Sequence, residues 1–200
     1  MGNPYEPKAC GVGYMGVGKY KSRDKNHKKT KAYATWHNML VRCYSNKYHK
    51  EKSSYINCEV CDEWKNFQNF AEWFENNYYE IEGEKMHLDK DILTKGNKIY
   101  SPNNCVFVPQ KINNLFPKCD KSRGKLPIGI RETPYHTFES RCNVMKKSIH
   151  LGNYKTPEEA FKVYKQFKEN YIKEVAEEYK DKIPTKLYEA LYNYQVEIND

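Results

Sequence analysis

The residues of this chain best suited to metal or phosphate chemistry lie between positions 87 and 113. They combine one aspartate with two asparagines and a tyrosine, namely Asp89, Asn104, Asn113 and Tyr100. Carboxylate and amide oxygens are hard donors, which Mg²⁺ and Mn²⁺ prefer in proteins. The same residue types are also common in solvated strands, turns and helix C-caps, so their chemistry depends on the elements that hold them.

The hydrophobic pattern around these residues predicts a compact unit of two strands and a helix. Alternation of apolar and polar side chains marks the first strand, and a Pro in the first turn marks the helix. The predicted order is a strand over residues 86–93, a loop over 94–104, a strand over 105–108 and a helix over 109–116. Asp89 then lies on the first strand, Asn104 ends the loop and Asn113 lies on the helix.

This unit resembles the HNH nucleases, which have the ββα-metal fold. It looks most like the branch found in phage endonucleases and a rare-cutting restriction enzyme, and the resemblance covers most of residues 11–116. It implies that Asp89 and Asn113 bind one divalent metal ion, Mg²⁺ or Mn²⁺, and that Asn104 fixes the loop geometry. Two protein ligands leave room for water and phosphate oxygens. The matching residues are Leu88-Asp89-Lys90, Tyr100-Ser101-Pro102-Asn103-Asn104 and Ile112-Asn113.

The sequence departs from the family at the position of the general base. Lys90 stands where most HNH nucleases have the catalytic His, and a lysine with an ordinary pKa near 10.4 is a poor base at neutral pH. Tyr100, with a pKa near 10, has the same difficulty. Three mechanisms stay open. A metal-bound hydroxide could attack the phosphate, Lys90 could stabilise the developing charge, or His87 could act as the base from the strand face that carries Asp89.

Two amphipathic helices are predicted ahead of this unit, over residues 31–45 and 61–78. The second has an acidic outer side, and Asp62 is its expected N-cap. The first carries Arg42, which could offset charge on the phosphate, and His37, a weaker candidate for the base. Residues 1–29 predict a flexible basic arm, and residues 46–57 predict an irregular polar segment.

The C-terminal part of the chain predicts a second domain. A basic linker over residues 117–126 sets the boundary, which gives domains 1–120 and 121–200. Three short strands are predicted, followed by a long helix from Thr156 to about Asp181 whose start has a capping Thr, a Pro and a Glu. The expected fold class is α+β, with a ββα-metal core flanked by helices and a three-stranded antiparallel sheet packed on a long helix. The predicted strands span residues 127–132, 136–145 and 147–154.

The second domain contains Gly129-Ile130 and, further on, His150-Leu151-Gly152-x-Tyr154-x-Thr156-x-Glu158-Glu159-Ala160. With these residues it resembles the APETALA-type, plant ethylene-response-factor-like DNA-binding domain that many phage HNH endonucleases append. In that family the exposed face of the sheet enters the DNA major groove. Mapped onto this chain, the resemblance implies that five residues face DNA: Arg131, Arg141, Asn143, Lys146 and Lys147. With only five arginines in the chain, we expect phosphate contacts by lysine to outnumber base contacts.

The net charge of +8 is distributed in alternating blocks. Basic blocks rich in Tyr and Lys suit a polyanion such as nucleic acid, although a Lys-rich, Arg-poor composition also follows from an AT-rich coding sequence. The blocks are residues 1–57 at +9, 58–91 at −7, 92–157 at +9 and 158–200 at −3.

Composition also bears on location and on the seven cysteines. No apolar run approaches the roughly 18–20 residues that span a bilayer, and no signal-peptide pattern opens the chain. We therefore expect a cytoplasmic protein with reduced thiols and no membrane partner. Cys58 and Cys61 form a C-x-x-C pair, which is half of a structural Zn²⁺ site. Because no second pair has matching spacing, burial of these cysteines is the favoured interpretation.

Together the two resemblances predict a metal-dependent DNA endonuclease of phage type. Its N-terminal domain would hydrolyse phosphodiester bonds of double-stranded DNA, in homing, phage competition or restriction, and its C-terminal domain would bind DNA. The alternative is a DNA-binding regulatory or accessory protein whose nuclease core is degenerate, which the lysine at the base position favours. A nuclease directed at RNA is a third reading. A single HNH centre cuts one strand, so double-strand cleavage would imply a homodimer.

Overall fold

The computed structural model describes residues 3–116, 124, 126–145 and 147–198. The chain divides into two compact units, Met1–Gln110 and Lys111–Asp200, and its secondary structure is mixed α+β. The sequence places the boundary between residues 120 and 121, and most of the predicted linker lies outside the described residues.

The described elements follow one another in this order. In the first unit they are α1 (Lys31–Tyr44), α2 (Asn46–Glu51), a 3₁₀ turn (Ser53–Tyr55), β1 (Glu59–Val60), α3 (Asp62–Lys65), α4 (Phe67–Asn77), β2 (Met86–Asp89), β3 (Ile99–Tyr100) and β4 (Val106–Pro109). Helix α5 (Gln110–Asn113) begins on the last residue of that unit. The second unit continues with β5 (Ile130–Glu132), β6 (Phe138–Val144), β7 (Lys147–Tyr154), α6 (Pro157–Tyr179) and α7 (Thr185–Tyr192).

Helix α1 forms where the apolar spacing predicts it. The Thr30 hydroxyl caps its start by accepting a hydrogen bond from the Tyr33 N–H. Its inner face is buried against α4, in a core shared by aromatic and aliphatic side chains. The indole of Trp36 is fixed by donating to the Trp64 carbonyl at 2.7 Å. The α1 residues in this core are Trp36, Met39, Leu40 and Cys43.

The single helix predicted over residues 61–78 is two helices, α3 and α4, which meet at Asn66. Asn66 has extended backbone angles, and its side chain caps α4 by accepting from the Gln68 N–H. The expected N-cap is also displaced by one residue, since Cys61 precedes α3 and Asp62 is its first helical residue. The break allows Tyr14 to pair with the chain at Asn66.

The N-terminal segment is packed and is not a flexible arm. Tyr14 donates to the Lys65 carbonyl and accepts from the Phe67 N–H. The buried Gln68 side chain binds the backbone of Met15 and Tyr20, in three hydrogen bonds of 3.0–3.1 Å. The sequence pattern missed this packing because it depends on contacts between distant residues.

Two small strand pairs hold the region of interest. Strands β2 and β4 are antiparallel, with Asp89 opposite Val106 and His87 opposite Val108. Strands β1 and β3 are parallel, and neither strand of this two-residue pair was predicted. The Tyr100 side chain of β3 is 2 % exposed and belongs to the core of the first unit. The helix predicted over residues 109–116 is shorter than expected, because Pro109 is the last residue of β4.

The second unit contains the predicted three-stranded antiparallel sheet, in the order β5-β6-β7, packed on α6. Helix α6 is capped as predicted, since the Thr156 hydroxyl accepts from the Glu159 N–H and Glu159 accepts from the Lys155 N–H. Gly129 has φ +76°, and a Cβ there would lie 2.3 Å from the ring of Tyr164 on α6. Glycine therefore permits the close approach of the turn to the helix.

A search of the described helices for a membrane span finds none, because none is both long enough and apolar enough.

Candidate functional site

Asp89 ends strand β2 and shapes the turn that follows it. Its Oδ1 accepts hydrogen bonds from the backbone N–H groups of Asp91 at 2.9 Å and Ile92 at 2.8 Å. The second oxygen, Oδ2, takes no part in these two bonds. Burial, together with the nearby Asp91 carboxylate, raises the pKa of Asp89 above its ordinary value, although the N–H donors and Lys90 oppose the shift. A cation near Oδ2 would stabilise the ionised carboxylate and so oppose the rise in its pKa.

Lys90 is buried on the side of the turn opposite Asp89. The alternation that buries Leu88 continues to Lys90, which is 5 % exposed. Its ammonium donates to the Asn97 carbonyl at 3.0 Å and lies 3.3 Å from the Asp91 carboxylate. These contacts favour a positioning role, because the ammonium is already engaged within the protein.

The Asn97 side chain connects the strand to the loop. Its amide group donates to the carbonyls of Lys90 at 2.7 Å and Ile99 at 2.8 Å, and its oxygen accepts from the Ile99 N–H. The same oxygen accepts from the Asn104 side chain at 3.2 Å. Asn104 thus contacts Lys90 through Asn97, which agrees with the loop-fixing role that the resemblance implies for it.

Arg42 reaches this region from the last turn of α1. It is hydrogen-bonded to the Tyr100 hydroxyl, and its guanidinium lies 5.6 Å from the centre of the Tyr55 ring. Burial lowers the pKa of Arg42, but interactions with the phenol groups of Tyr100, Tyr55 and Tyr48 outweigh this effect, so the pKa is raised and the charge is retained. Burial raises the pKa of Tyr100, so its phenol stays protonated at neutral pH and cannot accept a proton there. Tyr55 also interacts electrostatically with Asp89 and Asp91, so Arg42 belongs to the same polar cluster.

His87 lies on the Asp89 face of β2 and is half-buried. Its Nε2 lies 2.6 Å from the side-chain oxygen of Gln110. Burial lowers the pKa of His87, and the charges of Lys85 and Arg42 add to this, although the Gln110 contact opposes it. A neutral imidazole at pH 7 is able to accept a proton. His37 does not belong to this cluster, and it lines a cleft of about 410 Å³ that the N-terminal segment forms with α1.

Asn113, the second ligand implied by the resemblance, is the last residue of α5 and is half-buried. It falls in the second unit, whereas Asp89 falls in the first, so their pairing rests on the resemblance. Within the described residues, no group of three or more His, Cys, Asp or Glu side chains could hold a metal ion. One Asp and one Asn supply a carboxylate oxygen and an amide oxygen. Such a pair suits a hard cation that keeps water or phosphate oxygens.

The cysteines of the predicted C-x-x-C pair flank strand β1. Cys58 is buried, Cys61 is half-buried, and both are free thiols. Burial raises the pKa of Cys61, which works against the thiolate that zinc requires.

Four of the five residues expected to contact DNA lie in the described part of the second unit. Arg131 and Asn143 are exposed, Arg141 is partly exposed, and Lys147 is exposed at the start of β7. Lys146 lies outside the described residues. The alternation of the sheet is as predicted, because Ile130 and Cys142 are buried on the opposite face. The exposed face also contains a network of ion pairs around Glu139.

Sequence reasoning missed three members of the first cluster: Tyr55, Asp91 and Asn97. Asn97 follows Gly96 in a loop with several asparagines, and nothing in the pattern distinguishes it from its neighbours. Asp91 was available as a second carboxylate two residues after Asp89, and that spacing was the one signal that could have identified it.

Comparisons of this chain with protein-family models, with curated proteins and with solved structures give no match.

Proposed function

We propose that this chain is a metal-dependent DNA endonuclease of HNH type. The observation that carries the proposal is the turn after β2, where Asp89 is tied to two backbone N–H groups and Asn104 is linked through Asn97 to Lys90. A half-buried carboxylate with a raised pKa, a histidine on the same strand face and a charged arginine in the same cluster are the groups that phosphodiester hydrolysis needs.

In this proposal Asp89 would bind one Mg²⁺ or Mn²⁺ ion, and Asn113 is the second ligand that the resemblance implies. When bound, the ion would polarise the phosphate and lower the pKa of its water. His87 is the favoured base among the three candidates, because its lowered pKa keeps it neutral at pH 7. Lys90 is less suited to that role, since its ammonium is buried and bound to Asn97 and Asp91.

Arg42 would stabilise negative charge on the phosphate. Its guanidinium keeps its charge in the partly buried setting, and the Tyr100 hydroxyl fixes its direction. A charge held in place before the reaction stabilises the transition state more than a mobile one. Tyr100 would then act by positioning Arg42, and Lys90 and Asn97 by holding the turn that presents Asp89.

The second unit would supply DNA binding through the exposed face of the sheet β5-β6-β7. The support is the exposure of Arg131 and Asn143 and the partial exposure of Arg141 on that face, together with Lys147, which is exposed at the hairpin end of β7. Arginine and lysine supply phosphate contacts, and arginine can also read guanine in the major groove.

The test is cleavage of supercoiled plasmid and of random-sequence duplex DNA with Mg²⁺, with Mn²⁺ and with EDTA. We expect wild type to nick or linearise DNA only with the metal. Asp89→Asn keeps an oxygen for the two backbone N–H groups but removes the charge, so we expect a loss of more than about 100-fold in rate. The matched control is Asp62→Asn, since Asp62 is a fully exposed aspartate paired with Lys65, and it should cut at the wild-type rate.

A second function, a DNA-binding regulatory protein with a degenerate nuclease core, is favoured by one observation. Lys90, at the position of the family's catalytic histidine, is buried and already paired. If wild type shifts duplex DNA on a gel but leaves it intact with either metal, this second function replaces the first. If RNA is cut and DNA is not, the substrate class of the proposal is wrong.

A further inference from the structure

The exposed face of the sheet in the second unit contains a carboxylate surrounded by three basic side chains. Glu139 pairs with Arg131 through Oε2, and with Arg141 and His150 through Oε1 at 2.7 Å and 2.9 Å. The side chain of Glu139 is only 7 % exposed, whereas those of Arg131, Arg141 and His150 are 67 %, 41 % and 47 % exposed. The basic groups therefore cover the carboxylate and themselves face solvent.

The strand register produces this arrangement. Arg131 on β5 lies directly opposite Glu139 on β6, and Arg141 lies opposite His150 on β7. Glu139 and Arg141 are two residues apart on one strand, so their side chains point to the same face. A bulge between Ser140 and Arg141 shifts the β6–β7 register and brings His150 within reach of Glu139.

The ion pairs engage both arginines that the resemblance assigns to DNA. Burial raises the pKa of Glu139, but the nearby guanidinium groups of Arg141 and Arg131 outweigh this, so the pKa lies below its ordinary value and the group is ionised at neutral pH. Arg131 donates its Nε hydrogen to the carboxylate. An arginine that is paired with a carboxylate through Nε has one donor fewer for a phosphate, and the carboxylate offsets part of its positive charge.

We infer that Glu139 is a positioning residue that restrains Arg131 and Arg141 and so weakens binding to DNA of arbitrary sequence. This inference rests on the proposed DNA-binding function of the second unit. Its consequence is selectivity, because the two arginines leave Glu139 only where a DNA site offers better partners than the carboxylate does. Discrimination of this kind comes from a cost imposed on wrong partners as well as from contacts to the right one.

The test measures binding of the full chain to a random-sequence duplex over a range of salt concentrations, with Glu139→Gln as the variant. Gln keeps the shape but removes the charge, so both arginines become free for phosphates. We expect binding about 10-fold tighter at low salt, and a slope of log K against log salt steeper by about 1 to 2, because each added phosphate contact contributes roughly 0.9. A cooperative thermal unfolding transition, at a temperature close to that of wild type, will show that the variant is folded.

The matched control is Glu132→Gln. Glu132 lies on strand β5 of the same sheet, is exposed and pairs with His136 at 3.1 Å, so its replacement removes the same charge without freeing either arginine. We expect this control to change affinity by less than about 2-fold, with an unchanged salt slope. Equal tightening in both variants would mean a general charge effect and would overturn the inference, as would weaker or unchanged binding by Glu139→Gln.

A third variant, Arg131→Ala with Arg141→Ala, separates this inference from the function on which it rests. If wild type binds the duplex and this double variant binds less well while Glu139→Gln binds like wild type, the DNA-binding function stands and the restraint by Glu139 is wrong. If wild type fails to bind duplex DNA at any salt concentration, the DNA-binding function is wrong and the inference falls with it.

Discussion

At the scale of single residues, Asn97 organises the turn that presents Asp89. Its side chain makes four hydrogen bonds that join the end of the β2 region to β3 and to Asn104. The backbone of the same residue accepts from the buried ammonium of Lys90. A buried lysine is tolerated at this position because its ammonium contacts a carbonyl and a carboxylate.

Replacing Asn97 with Ala should destabilise this turn. The carbonyls of Lys90 and Ile99 would lose their donor, which costs about 1–3 kcal/mol in the free energy of unfolding, measured by urea denaturation. The control is Asn103→Ala, because Asn103 is an exposed asparagine of the same loop. Similar free energies for the two variants would show that Asn97 does not hold the turn.

Part of this cluster could be predicted from residue types and their spacing. Asp89, Asn104 and Arg42 were accessible because their types and spacing carry a chemical meaning. The burial of Lys90 was also accessible, since the alternation that places Leu88 inside places Lys90 on the same side. The role of Asn97 was not, because its partners depend on a loop conformation that no periodicity encodes.

At the scale of elements, Gln68 fixes the N-terminal segment to α4. Its side chain satisfies three backbone groups of residues 15 and 20, and a Cβ at Gly18 would lie 2.4 Å from its oxygen. The segment and the helix are therefore fitted to each other, with a glycine where the side chain passes. The three hydrogen bonds of Gln68 and the backbone pairing of Tyr14 together hold this segment, which contains no helix.

Gln68→Leu should release that segment. The three backbone groups would lose their partners, and we expect cleavage by trypsin after Lys19 and Lys21 to become at least about 10-fold faster, followed by mass spectrometry. The control is Glu72→Leu, an apolar replacement on the exposed side of the same helix. Equal cleavage rates in the two variants would mean that other contacts hold the segment.

Elements with a strong local signal were predicted well. The apolar spacing of α1 and the Thr156 cap of α6 place these helices within about two residues of their observed bounds. Strands β1 and β3 were missed because each has two residues and is stabilised only by pairing with the other. The break at Asn66 was missed because it depends on Tyr14, which lies far from it in sequence.

At the scale of the whole molecule, the two units share the charge equally and differ in their chromophores. Each unit contains 17 Lys or Arg and 13 Asp or Glu, which gives each a net charge of +4. All three tryptophans, Trp36, Trp64 and Trp73, belong to the first unit. Tryptophan fluorescence therefore follows the first unit, while circular dichroism follows the helices of both units. A loss of circular dichroism without a change in fluorescence would mark unfolding of the second unit alone.

The buried Lys168 on α6 makes the stability of the second unit depend on pH in a defined direction. Burial lowers the pKa of Lys168 below 10.5, an effect that Cys142 only partly opposes. Between the folded-state pKa and 10.5 the unfolded chain binds more protons than the folded chain, so stability rises with pH through that window. Below that window the lysine is charged in both states, and the folded chain bears the free-energy cost of burying the charge.

Lys168→Met should therefore stabilise the protein at pH 7, by on the order of 1 kcal/mol. Methionine fills a similar volume without a charge to desolvate, and the advantage of the variant should shrink as pH rises towards 10.5, where wild type also loses its charge. The measurement is urea unfolding followed by circular dichroism at pH 7 and pH 10.

The control is Lys162→Met, on the exposed side of the same helix, which should change stability by less than about 0.5 kcal/mol. A destabilised Lys168→Met variant, or an advantage that stays constant with pH, would show that the ammonium is well satisfied where it lies and that burial imposes no cost on it.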